Sequence, residues 1–177
     1  MKRFAYYSGL TAGAKRIYRQ SDRITVVELA QLDGFVASLK ALEAALVDED
    51  RGRAETVSQE LADGITRQLR VPRVQVIIRE VRPSDSQAEL HGLYEPVDPP
   101  YRCRVSLWMR TAVRADVVAY KTFLRTLLHE LCHHLDYELF AFPESFHTRG
   151  FYRRESSLMR QLADARERDH MAPSPDR

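Results

Sequence analysis

Residues 127–137 read LLHELCHHLDY, and within them His129, Glu130 and His133 form an H-E-x-x-H pattern. Two residues four apart on an α-helix sit one turn apart on the same face. Two imidazoles so placed can bind one Zn²⁺, each nitrogen at about 2.0–2.1 Å from the ion. Glu130 is rotated by about 100° from His129, so it approaches the ion from the side. A carboxylate there can take a proton from a water that zinc has made acidic and pass it to the leaving group. The pattern predicts His129 and His133 as ligands and Glu130 as general base.

A catalytic zinc takes three protein ligands and keeps one position open. Downstream, the candidates for the third are His147, Glu144 and Glu155. His147 lies just past the loop FAFPESF, at the head of the last helical segment, where the chain can return across the helix bearing His129. Histidine is also the commonest metal ligand. Glu155, eight residues on and roughly on the same helical face, is the main rival; Glu144, beside Pro143, is the third candidate.

These residues need a scaffold, and the rest of the chain predicts an α+β domain. From about Thr25 to Val47 apolar residues recur at helical spacing (Leu29, Leu32, Val36, Leu39, Leu42, Leu46). Gly34 interrupts this run and makes Asp33 an alternative start, as a cap. After DEDRGR a second helix carries Val57, Leu61, Ile65 and Leu69 on one face. VQVIIREV (74–81) reads as a strand. PSDS (83–86) is a turn, AELHGLYEPV (88–97) a strand weakened by Gly92, and DPP (98–100) a turn. CRVSLWMR (103–110) alternates as a half-buried strand should, with Trp108 on the polar phase, packed under a loop. A long helix over about 116–139 bears the H-E-x-x-H, and a last helix runs over about 148–168. Residues 1–22 receive no assignment. The expected fold is two N-terminal helices, a small, mostly antiparallel three-stranded sheet, the helix with His129 and a C-terminal helix. Residues 1–170 form one domain and 171–177 a loose tail.

The segment His129–His133, followed by His147-x-x-x-Phe151 in HTRGFYRRES, resembles the SprT-like metallopeptidases and their WLM and YgjP-type relatives. The resemblance spans about residues 120–162. It implies His129, His133 and His147 as the ligands of one Zn²⁺ per chain, Glu130 as general base, a zincin-like fold and a peptide or protein substrate. There are departures: Thr148 stands where the family often has glycine after the third histidine, and there is no zinc ribbon. Some relatives act on proteins crosslinked to DNA, but that substrate is not carried over. Lys+Arg exceeds Asp+Glu by only two, 27 against 25, which leaves no electrostatic footprint for nucleic acid.

Among the neighbours, Asp136 could orient a ligand imidazole or be an exposed helical aspartate. Tyr137, Tyr152 and Arg153 are candidate donors to an oxyanion. Cys132 reads as a small core residue, His134 as a surface or supporting residue, and His91 as a strand histidine near the cleft. Cys103 and Cys132 are expected to be reduced thiols. No run reaches the roughly 20 apolar residues of a membrane span, and no signal peptide stands out, so the expectation is a cytoplasmic protein. Two further functions fit the pattern: a non-catalytic, zinc-stabilised binding or regulatory module, and a zinc hydrolase acting on a non-peptide bond. A retained Glu130 argues against the first of these, because a structural site has no use for a base beside an open metal position.

Overall fold

The computed structural model describes residues 4–83, 90–96 and 103–171. The expected turns at 84–86 and 98–100, the outer ends of the second strand and the tail at 172–177 lie outside them. The described residues form five helices and a three-stranded sheet: α1 (Ala12–Arg23), α2 (Val36–Val47), α3 (Arg51–Leu69), β1 (Gln75–Val81), β2 (Gly92–Glu95), β3 (Arg104–Arg110), α4 (Tyr120–Glu138) and α5 (Arg149–Met171). The α+β reading holds, as do the positions of the three strands, the helix carrying His129, which starts at Tyr120 rather than near Asp116 because Val117 bridges to Arg110, and the last helix, which extends through Met171.

The sheet is mixed, not mostly antiparallel. Its order is β1-β3-β2. β3 runs parallel to β1, with Val76 opposite Val105, and antiparallel to β2, with Tyr94 opposite Val105. Each strand points as in an up-down-up meander; only the spatial order differs, because β3 inserts between the other two. Burial accounts for this. Val105, Ser106, Leu107, Trp108 and Met109 are all buried, so β3 is covered on both faces rather than half-buried. Short, partly exposed β2 takes the edge.

The two outer edges of the sheet differ. Along β1, side chains spaced at one-turn intervals on α3 take up the free backbone groups. Val76 N–H donates to Gln59, Ile78 N–H donates to Glu55, and Arg51 donates to the Ile78 carbonyl. This closes the β1 edge to further pairing. α3 itself starts at Asp50, whose carboxylate accepts from Arg53 N–H at 2.9 Å, a cap contributing about 1 kcal/mol. α4 packs on β2 and β3.

Residues 25–32 are not helical. Val27 and Leu29 are buried while Val26 and Glu28 are exposed, in an extended segment lying along α5. There Gln161 accepts from Leu29 N–H and donates to the Val27 carbonyl. α2 starts only after a 3₁₀ turn at Asp33–Phe35. The unassigned N-terminal residues contain α1, capped by Thr11, which accepts from Ala14 N–H at 3.2 Å. Only Tyr18 and Ser21 of α1 are buried. α1 packs on the start of α5 so closely that a Cβ at Gly150 would overlap the backbone of Ser21 and Asp22. No helix among the described residues is long and apolar enough to cross a membrane.

Candidate metal centre

α4 brings His129 and His133 to one face as the four-residue spacing requires, and the turn before α5 delivers His147 to the same point. Thr148 caps α5 by accepting from Phe151 N–H at 3.0 Å. It also hydrogen-bonds Ser21 at 3.3 Å, and this ties the α5 start to α1. Thr148 is fully buried, which gives the departure from glycine a structural role. The His147 carbonyl accepts from the Tyr6 hydroxyl at 2.8 Å.

The three rings meet through their Nε2 atoms. His147 Nε2 lies 3.0 Å from His129 Nε2 and 3.0 Å from His133 Nε2. Tetrahedral zinc bonds of about 2.0–2.1 Å place ligand nitrogens about 3.3 Å apart, close to this spacing. The outer nitrogens are committed. His129 Nδ1 faces Glu155 Oε2 at 2.9 Å, so the ring donates there. His133 Nδ1 lies 2.7 Å from Ser145 Oγ. The single Ser145 hydroxyl proton goes to Asp136 Oδ2, at 2.7 Å, so His133 Nδ1 is the donor to Ser145.

Neutral rings protonated at Nδ1 present bare lone pairs at Nε2. His147 Nε2 can carry one proton and satisfy one neighbour, which leaves at least one lone pair facing another. A cation at the junction satisfies all three. The donor set, three imidazole nitrogens with supporting acceptors behind two of them, fits Zn²⁺. Burial, joined by the neighbouring His129 and His147, pushes His133 down to about 3. Burial and then His129 also lower His147. His133 and His147 are thus kept unprotonated, as a metal ligand must be.

Behind the rings runs a buried relay. Asp136 Oδ1 pairs with Arg154 at 2.6 Å, both side chains fully buried. Arg154 also donates to the Ser21 carbonyl at 2.8 Å and the Ile24 carbonyl at 2.7 Å, at the end of α1. Its guanidinium lies over Phe140 and Phe151. Asp136 therefore acts on His133 through Ser145, not as an exposed helical residue. Glu155, the rival third ligand, holds the back of His129 and pairs with Arg125 at 2.7 Å. Burial pushes its carboxyl up, but the His129 and Arg125 contacts outweigh this and hold it below the usual range. Glu144 is exposed and lies outside the cleft lining.

Glu130 is 5% exposed. Burial pushes its carboxyl up to about 7, against the lowering pull of His129 and of the Tyr94 N–H that it accepts. Gly92 permits this approach: a Cβ there would overlap Glu130 Oε1 and lie 2.8 Å from Thr126 Cγ2. The glycine that weakened the strand on paper lets β2 lie against the carboxylate.

The histidines and Glu130 open onto a cleft of about 690 Å³, with β2 as one rim and Tyr137 and Tyr152 in its walls. Tyr152 stands beside His147, ring centroids 5.8 Å apart. Tyr137 stacks on Tyr94. His91 lines the rim. Arg153 is exposed and lies outside the lining. His134 faces away, with Nε2 donating to the Pro72 carbonyl at 2.8 Å. Cys132 is fully buried, and both it and Cys103 are free thiols.

Four supporting residues carried no sequence signal: Tyr6, Ser21, Ser145 and Arg154. Each acts across 9 to 141 positions of chain, a range that local spacing does not encode. Comparisons with protein-family models, with curated proteins and with solved structures return no match, so the functional reading rests on this geometry and on the sequence pattern.

Proposed function

We propose that the chain is a zinc-dependent metallohydrolase, and specifically a peptidase, with His129, His133 and His147 holding one Zn²⁺ and Glu130 acting as general base. The observation that carries this reading is the convergence of the Nε2 atoms of His129, His133 and His147 beside a buried carboxylate, Glu130, on the helix that bears the first two, all facing an open cleft. Zinc bound there would polarise a carbonyl and lower the pKa of a water. Glu130 accepts the proton of the attacking water and delivers it to the leaving nitrogen; burial suits it to both steps by raising its affinity for the proton towards neutral pH. Tyr152, in the cleft wall beside His147, is the candidate donor to the oxyanion.

The substrate class follows from the rim. β2 has β3 on one side and no strand among the described residues on the other, and Leu90, Gly92 and Leu93 border the cleft. An extended peptide can pair with such an edge beyond the Tyr94 N–H held by Glu130, whereas the β1 edge is taken up by α3 side chains at Val76 and Ile78. The resemblance to SprT-like metallopeptidases supports the same assignment.

The test is cleavage of a peptide library by chelator-treated protein before and after Zn²⁺ is restored. Restored zinc should restore cleavage. Glu130→Gln should keep the metal and lose at least about 10²–10⁴-fold in turnover, while His147→Ala should weaken zinc binding itself. Full zinc occupancy with no cleavage of any peptide would favour a non-catalytic zinc-stabilised module. Activity intact in Glu130→Gln would overturn the mechanism.

A further inference from the structure

α4 carries a second pair of ligand-type residues at helical spacing. His134 and Glu138 are four apart and lie one turn apart on a face distinct from that of His129 and His133. Facing them is Cys103, one residue before β3. A cysteine Sγ, a histidine nitrogen and a carboxylate oxygen from these three residues all lie within 4.8 Å of one another. The histidine is already oriented. Its Nε2–H donates to the Pro72 carbonyl at 2.8 Å, so the neutral ring presents its lone pair at Nδ1. A backbone carbonyl behind a ligand imidazole is the usual device for fixing tautomer and ring plane at metal sites. The Tyr94 hydroxyl lies 3.1 Å from that Nδ1. Since Nδ1 accepts, Tyr94 donates to it. The three ligand atoms are thus gathered without an ion.

We propose that Cys103 Sγ, His134 Nδ1 and a Glu138 carboxylate oxygen form a second metal site, separate from the three-histidine centre, for a borderline divalent transition ion such as Zn²⁺. The thiol selects this class over Mg²⁺ or Ca²⁺, which take oxygen ligands. On binding, Cys103 releases its proton to solvent, and the ion takes the Nδ1 lone pair in place of the Tyr94 O–H. Such an ion would link the start of β3 to the end of α4. It would also free the hydroxyl of Tyr94, whose ring stacks on Tyr137 and His133 at the cleft wall.

The experiment is a Co²⁺ titration of chelator-stripped, reduced, full-length protein. Cobalt per chain is read by elemental analysis, and thiolate ligation by the sulfur-to-cobalt charge-transfer absorption. Wild type should take two equivalents and show the thiolate band. Cys103→Ser should abolish the band and weaken one equivalent by at least about 100-fold. Glu138→Gln, at an exposed position that does not threaten folding, should weaken the same equivalent. His147→Ala should lose the other equivalent and keep the band. Absence of the band in wild type, or its survival in Cys103→Ser, overturns the second site. If instead His147→Ala binds cobalt as wild type does while Cys103→Ser loses one equivalent, the three-histidine reading fails and the second site stands.

Discussion

Glu155 separates a ligand from a residue that aims a ligand. Its carboxylate is 5% exposed and accepts from His129 Nδ1–H at 2.9 Å, while its partner Arg125 is 51% exposed. Replacing Glu155 by alanine leaves Arg125 to solvent, so little of the effect falls on stability. It falls on His129, whose Nδ1–H loses a charge-assisted acceptor contributing about 1.5–3 kcal/mol. At about 1.4 kcal/mol per tenfold, zinc affinity should drop about 10–100-fold, the range found for residues supporting metal ligands. Glu155→Gln keeps a neutral acceptor contributing about 0.5–1.5 kcal/mol, so its loss should be near tenfold. His147→Ala removes a ligand and should lose more than either. A competition titration against a chromophoric chelator at fixed pH reads all three constants. If Glu155→Ala binds zinc as wild type does, the tautomer argument fails. If Glu155→Ala releases the metal while His147→Ala keeps it, Glu155 is the ligand and His147 is not.

The metal-free protein should show a pH signature of Glu130. Its folded pKa, about 7, lies above the ordinary 4.5, so between these values the folded state keeps a proton that the unfolded chain has lost. Stability therefore falls as pH rises through this window, by about 3 kcal/mol in all. Urea melts of the metal-free protein should show wild type losing this much relative to Glu130→Gln between pH 4.5 and 7; a constant difference would count against the buried carboxyl. At Gly92 the prediction is displacement without metal loss: Gly92→Ala drives a methyl against Glu130, so zinc content should hold while turnover falls by at least tenfold, as removal of a positioned base requires. Unchanged turnover in folded Gly92→Ala would refute the close approach of β2.

The chemistry was more legible than its support. Four-residue spacing alone brings His129 and His133 together, and the position of His147 after a loop brings it back to them. The role of Glu155 was not legible, and that of Asp136 only as one of two readings, since both act through partners (Ser145 and His129) set by how α4 and α5 pack. The strands were visible from composition, but their order was not. Periodicity reports which face is buried, and hydrogen-bond partners leave no trace in it. The structure shows what sets the order: Trp108 and Ser106, on the supposedly polar phase of β3, are both buried, as in a central strand. The Leu29–Leu46 stripe misled because Val27 and Leu29 bury alternately in an extended segment while Leu39 to Leu46 bury helically. The β-branched run Ile24–Val27 was the available warning. α1 leaves no apolar stripe in the sequence because only Tyr18 and Ser21 of its twelve residues are buried.

The central claim is that three imidazoles hold one ion. Anomalous diffraction from crystals of the zinc-loaded protein, with data collected on both sides of the zinc absorption edge, tests it directly. A zinc peak should stand about 2.0–2.1 Å from Nε2 of His129, His133 and His147, with Glu130 outside its coordination sphere and Glu155 behind His129. No peak at that junction, or a peak ligated by Glu155 in place of His147, would contradict the account.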